Sequence, residues 1–296
     1  MTTTCPLPSP TNNPTTVLDD LRATGVAIYE RAMDLAEIEH LHDRLDAIAS
    51  AERSAGTALL EDGSSTDGRY LPGPNQRIDG LLSKDPAFAR LATRPRLLEI
   101  ARRAIAATYG YPPDAIEAFG FDRVMLSSMA ANIANPGGKA MGLHSDQGFV
   151  PPATPFPVLV NFLVPLVDFT PTNGATLVAA GSHRADPIAL LTDPPSTAPV
   201  TAAAGSVIVL DGRTVHGTGA NTGDTPRPAI LLTYCAPWVR TFGNHGLDVD
   251  DGLLADASPE LLDLLGFTPW FVFGRAEARR LDRVGADAVD SRTPPG

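Results

Sequence analysis

The chain has 296 residues, 43% of them hydrophobic and 19% charged, with a formal net charge of −11. This is globular composition, and an acidic chain with no run of Lys or Arg argues against a nucleic-acid partner. No stretch approaches the ~20 apolar residues of a membrane span, and the first residues lack the basic and apolar regions of a signal peptide, so a cytoplasmic protein with no membrane partner is expected.

Residues 1–15, rich in Thr, Pro and Asn and without periodicity, read as a disordered leader. A short amphipathic piece at 17–22 precedes a strand-like run at 25–29. Asp34 with Glu37 has the form of a capping box, opening a helix to about Glu52 with Leu35, Ile38, Leu41, Leu45 and Ile48 on one face. Residues 55–80 are Gly-rich and polar and predict a long loop of the kind that acts as a lid. Residues 86–107 predict one or two helices, interrupted before Pro95. The pattern then changes to short Val-, Ile- and Leu-rich runs at 121–133, 158–167, 176–178, 205–210 and 229–235. Turn signals separate them, among them Asn135-Pro136-Gly137-Gly138 and Pro171-Thr172-Asn173-Gly174, and the spacing predicts a β-sandwich or barrel. Ser258-Pro259 starts a short helix to 265. The reading is one domain over 16–282, with a helical part to about 110, a β core over about 118–245 and a helical segment over about 246–282, before a loose tail at 283–296. The two cysteines, Cys5 near the start and Cys235 in an apolar run, make neither a disulfide framework nor a zinc site; Cys235 reads as a buried free thiol.

The chemistry concentrates on three residues. His144-Ser145-Asp146 follows a Gly-rich turn, and in a strand positions i and i+2 share a face, so one imidazole and one carboxylate can reach one ion. His216 follows the strand that ends in Asp211-Gly212. Two neutral imidazoles and a carboxylate form the facial set of non-haem Fe(II) oxygenases, which leaves coordination positions open for a chelating co-substrate and O2. Arg227, eleven residues after His216, and Thr218 supply a guanidinium and a hydroxyl suited to holding a carboxylate.

Taken together, Gly142-Leu143-His144-Ser145-Asp146-Gln147, Val164-Pro165-Leu166-Val167-Asp168, Asn173-Gly174-Ala175-Thr176-Leu177, Ala180-Gly181-Ser182-His183-Arg184 and Asp211-Gly212-Arg213-Thr214-Val215-His216-Gly217 with Arg227 resemble the phytanoyl-CoA dioxygenase family. The resemblance runs from about 15 to 245. It implies a mainly β fold with flanking helices, a double-stranded β-helix of the jelly-roll or cupin-like kind. It also implies iron(II), 2-oxoglutarate as co-substrate and O2. His144, Asp146 and His216 match the metal ligands and catalytic centre, and Arg227 and Thr218 the residues around the far carboxylate of 2-oxoglutarate; Asn132 and Asn161 are further candidates for holding the co-substrate. His183 is expected to be structural. Asp146 argues against halogenases resembling the family, which replace this carboxylate to make room for halide.

Tyr70, Gln76 and Arg77 from the 65–80 loop, and Trp238, Arg240 and Phe242 after Tyr234, are candidate substrate contacts. A small organic metabolite suits them better than an acyl-CoA, for which no basic patch exists. The rival readings are a non-catalytic cupin-like binding protein and a metal-dependent hydrolase built on the same ligands.

Overall fold

The computed structural model describes residues 5–63, 71–148, 154–186, 193 and 195–274. Helix α1 (Pro14–Thr24) opens on Asn13, whose side chain accepts from the Thr15 amide at 2.9 Å. It stops at Gly25, whose φ of 77° lies in the left-handed region that glycine tolerates, and the chain passes straight into β1 (Val26–Tyr29). Helix α2 (Leu35–Ala55), strands β2 (Leu59–Glu61) and β3 (Asn75–Asp79), and helices α3 (Pro86–Ala92), α4 (Pro95–Ala106) and α5 (Pro113–Phe119) follow. Each of the last three has proline in its first turn, where the missing N–H is no loss. The strands β4 (Met125–Ala134), β5 (Leu159–Pro165), β6 (Thr176–Val178), β7 (Ala198–Pro199), β8 (Val207–Asp211), β9 (His216–Thr218) and β10 (Arg227–Cys235) come next, then short helices at His245–Asp248, Asp251–Ala255 and Pro259–Leu264.

The strands form two sheets of a double-stranded β-helix. The larger has the order β1-β8-β5-β10-β4-β3-β2, and the smaller β7-β6-β9. Every paired strand runs antiparallel to its neighbour. Strand parity then assigns each side chain a face. Val160, Phe162 and Val164 of β5, Met129, Ala131 and Ile133 of β4, and Ile230, Leu232 and Tyr234 of β10 join Leu21, Leu41, Leu45, Phe88, Leu91 and Ile100 in one core beneath the helices. Each large apolar side chain so buried contributes about 1.5–3 kcal/mol. The opposite face of the sheet packs Leu163, Ile208, Leu210 and Ala229 with Val178 and Val200 from around the smaller sheet. The polar residues of β4, β5 and β10 fall on this second face, and there they meet the site.

The structure alters several expectations. The chain is not disordered from Cys5 to residue 15: the Cys5 amide donates to Ala180 O at 3.2 Å, Thr11 bridges to β1, and α1 starts at Pro14. Asp34 occupies the N-cap of α2 but makes no side-chain capping bond, and the Glu37 side chain pairs with Arg94 instead of returning to the cap. Leu35 is 69% exposed, so the buried stripe of α2 begins at Ile38. Within 55–80 two strands extend the large sheet, since Gln76 and Ile78 pair in register with Ile133 and Ala131 of β4. Helix α5 was not anticipated. Among the described residues no helix is long and apolar enough to cross a membrane.

Candidate metal centre

His144 and His216 stand 72 positions apart, yet they form one antiparallel bridge: the His144 amide donates to His216 O at 3.0 Å and the His216 amide to His144 O at 2.8 Å. Residues exchanging both bonds present their side chains on one face, and the two rings lie 4.6 Å apart between centroids. The bridge is single. Asp146 lies beyond it in a turn, so the expected strand spacing of His144 and Asp146 does not hold, and the turn delivers the carboxylate instead. His144 Nε2 is 3.5 Å from Asp146 Oδ1, and His216 Nε2 is 3.6 Å from Asp146 Oδ2. The three donor atoms lie within 4.8 Å of one another.

These residues fit a divalent metal. Ligands about 2.1 Å from one ion at right angles lie about 3 Å apart, so each imidazole sits about half an ångström beyond that spacing from Asp146, and the trio as a whole, spread within 4.8 Å, would draw together around an ion. Both imidazoles turn Nδ1 to a backbone carbonyl, His144 to Gly142 O at 3.0 Å and His216 to Thr214 O at 2.9 Å. A carbonyl can only accept, so each ring carries its proton on Nδ1 and offers the Nε2 lone pair toward Asp146, the tautomer a metal requires. Burial of the site disfavours charge, and it dominates at His216, whose pKa is lowered. Burial acts the same way on His144, but the Asp146 carboxylate outweighs it and raises that ring. Asp146 is itself held below the usual carboxylate range: burial opposes its charge, and the neighbouring His144 and His216 imidazoles and the Asn161 amide overcome that.

Arg227 opens β10 at the inner end of the same cavity and is 1% exposed. Its Nε and Nη2 have no hydrogen-bond partner, and burial pushes its pKa down to about 10. The ring of Phe169, 4.5 Å from the guanidinium carbon, is a weak substitute for an anion. A buried cation with unpaired donors is costly unless a ligand supplies the missing charge, and a dicarboxylate meets that need. Thr218 lines the same cavity, and its hydroxyl accepts from Asn132 Nδ2 at 3.4 Å.

The cavity is small, about 140 Å³. Size alone misleads here: a larger groove of about 870 Å³, bordered by Leu98, Arg102, Ile116 and Glu260, carries none of the His144, Asp146 and His216 trio. Of the candidate substrate contacts, Arg77 and Phe242 line the small cavity. Gln76 does not, because its neighbours on β3 and β4 turn it into the helical side. It is fully buried there and accepts from Arg53 Nε at 2.6 Å. Trp238 and Arg240 line a separate cavity with Trp270 and Phe273, and Trp238 donates to the Tyr109 hydroxyl at 3.0 Å. Tyr70 lies outside the described residues. Asn161 lines the cavity, but its amide nitrogen donates to Asp146 Oδ2 at 2.7 Å. His183 is buried with Nε2 against Arg22 O at 3.1 Å, away from the metal-binding trio. Sequence reasoning missed Thr176 and Thr233, both lining the cavity. For Thr233 a signal existed: it is a polar residue at an inward-facing position of an otherwise apolar strand.

The sequence pattern of the family described as Phytanoyl-CoA dioxygenase (PhyH) matches residues 21–229. The chain is 32% identical to dioxygenase af480 of Aspergillus fumigatus, over 84% of this chain and 75% of that protein. It is 28% identical to the iron/alpha-ketoglutarate-dependent dioxygenase ausO of Aspergillus calidoustus, over 70% of this chain and 68% of that one. In fold it resembles the epimerase SnoN, solved with Fe3+, alpha ketoglutarate and nogalamycin RO, with a TM-score of 0.56 at 19% identity over 82% of this chain and 92% of that one.

Proposed function

Because the chain belongs to the phytanoyl-CoA dioxygenase family and is an iron(II)- and 2-oxoglutarate-dependent dioxygenase, we propose that it hydroxylates a small organic metabolite, with His144, Asp146 and His216 as the metal ligands and Arg227 as the anchor of 2-oxoglutarate. The observation that carries this reading is the pairing, within one cavity, of the His/Asp/His trio with a buried guanidinium whose Nε and Nη2 lack partners. A hydrolase built on the same ligands has no use for that guanidinium. Bound together, iron, 2-oxoglutarate and O2 supply the oxidising power, and succinate and CO2 leave as co-products.

The protein's own part is positional. Arg227 would hold the far carboxylate of 2-oxoglutarate, leaving the keto-acid end for the side of the cavity that carries His144, Asp146 and His216. Asp146 occupies the third protein-ligand position, which favours oxygen insertion over halide transfer. A cavity of about 140 Å³ is below the roughly 300–1,000 Å³ of ordinary ligand pockets, so the co-substrate fills its inner end and the substrate meets it from the mouth. Arg77 and Phe242, more exposed than Arg227, border that mouth and offer one cationic and one aromatic contact to a small metabolite. The test is iron-dependent succinate formation, followed by a mass-spectrometric screen of small organic acids and cyclic metabolites for a gain of one oxygen atom. Succinate with no such gain on any accepted substrate would replace hydroxylation with another oxidation.

A further inference from the structure

Strands β5 and β10 place Asn161 and Thr233 directly opposite one another, so their side chains stand side by side on the cavity face. Both are buried, at 4% and 7% exposure. The Thr233 hydroxyl donates to Asn161 Oδ1 at 2.8 Å, and Asn161 Nδ2 donates to Asp146 Oδ2 at 2.7 Å. The direction of both bonds is forced. A carboxylate only accepts, so the amide must turn its NH2 toward Asp146; its oxygen, now facing Thr233, also only accepts, so the hydroxyl must be the donor. Thr233 is β-branched and stiff about χ1, which suits it to lock the amide against flipping.

The consequence falls on the carboxylate. Asp146 has two oxygens within reach of the imidazoles, Oδ1 toward His144 and Oδ2 toward His216. A carboxylate that chelated with both would take a coordination position needed by the co-substrate or O2. Asn161 holds one of the two. We infer that Thr233 and Asn161 form a positioning relay that makes Asp146 a one-oxygen ligand, with Oδ1 free for the metal, and that Asn161 serves the carboxylate and not 2-oxoglutarate. The inference rests on the metal-site reading above. Thr233 touches neither metal nor co-substrate in this role; it acts through Asn161.

Mn(II) binding without 2-oxoglutarate, followed by electron paramagnetic resonance, tests the relay without turnover, and a thermal melt of each variant checks its fold. Partners behind metal ligands are worth 10- to 100-fold in affinity, so Asn161→Ala and Thr233→Val are each expected to weaken Mn(II) binding by about tenfold or more. Thr233→Ser, which keeps the hydroxyl, stays within about threefold of wild type. Because the two residues act in series, the double variant Asn161→Ala/Thr233→Val is no weaker than Asn161→Ala alone. The relay is overturned if Thr233→Val binds Mn(II) as wild type does, or if the two losses add. It is equally overturned if Asn161→Ala weakens 2-oxoglutarate but leaves Mn(II) affinity unchanged. A wild-type chain that binds no Mn(II) would sink the metal-site reading itself, and this inference with it.

Discussion

Replacing Arg227 by methionine is expected to move stability and co-substrate affinity in opposite directions. Burial holds the guanidinium at about 10 against an ordinary 12.5. At about 1.4 kcal/mol per pKa unit, keeping that charge in the ligand-free interior costs about 3 kcal/mol, of which the Phe169 ring returns a part. Methionine fills much of the same volume without charge or unpaired donors. The ligand-free variant is therefore expected to melt several degrees above wild type, since about 1 kcal/mol moves Tm by about 2–4 °C in a chain of this size. Binding moves the other way. Loss of one partner of a buried charge pair costs about 2–5 kcal/mol, or roughly 30- to several-thousand-fold in Kd. The assay is a pair of anaerobic thermal melts with Mn(II), with and without 2-oxoglutarate. Wild type gains about 2.7 kcal/mol at 100 times its Kd, and Arg227→Met gains at most about 0.9 kcal/mol at the same concentration. Arg227→Lys lies between them, offering a point charge in place of the fork. An Arg227→Met variant that keeps the full 2-oxoglutarate shift would refute the assignment, whatever its own Tm.

Asp146→Ala removes one proposed metal ligand and the carboxylate that both imidazoles face; succinate formation with iron present is expected to fall to background while circular dichroism stays native, and activity near wild type would remove Asp146 from the metal. Gly212→Val places a side chain where Leu159 Cβ would lie 2.7 Å and Leu159 O 2.9 Å from the new Cβ. Overpacking of this kind costs about 1–3 kcal/mol, read as a Tm loss of several degrees, and an unchanged Tm would mean that the turn yields freely. Cys235, whose thiol burial pushes up to about 12 against an ordinary 9.0, keeps its proton in the folded chain while the unfolded chain sheds it. Its contribution to stability is thus intact below pH 9 and lost as pH rises from 9 toward 12. Urea titrations across that window should show a steep fall in wild type and a shallower one in Cys235→Ala; parallel curves would assign the fall to other groups.

His144, Asp146, His216 and Arg227 were legible as a set from residue type and from the run of motifs that resembles the family, and the five apolar strand runs from local patterning, whereas the turn that delivers Asp146 was not legible. The strands at 59–61 and 75–79 were not legible, because the polar residues of 75–79 borrow hydrogen bonds from β4, a partner more than fifty positions away, and 59–61 pair in turn with 75–79. Nor was the fate of Gln76 and Asn161: each is a polar side chain next to the site in sequence, and only the face it occupies decides whether it meets ligand, helix or carboxylate. Gln76 turns to Arg53 and Asn161 to Asp146. The place of Trp238 and Arg240, which line a different cavity from the trio, was hidden for the same reason, since a segment leaving β10 can line either of two cavities.

The bridge between His144 and His216 makes these two proposed ligands part of the backbone ladder as well as of the cavity. Two reciprocal amide bonds already close a 72-residue stretch of chain, and an ion held by both imidazoles closes the same stretch a second time through the side chains. With the proposed ligands, metal loading and the cohesion of the smaller sheet would be one linked equilibrium, in which the ion would act as a reversible staple. Its removal would be felt first as faster solvent exchange of the His144 and His216 amide protons, before any loss of the helical side of the molecule.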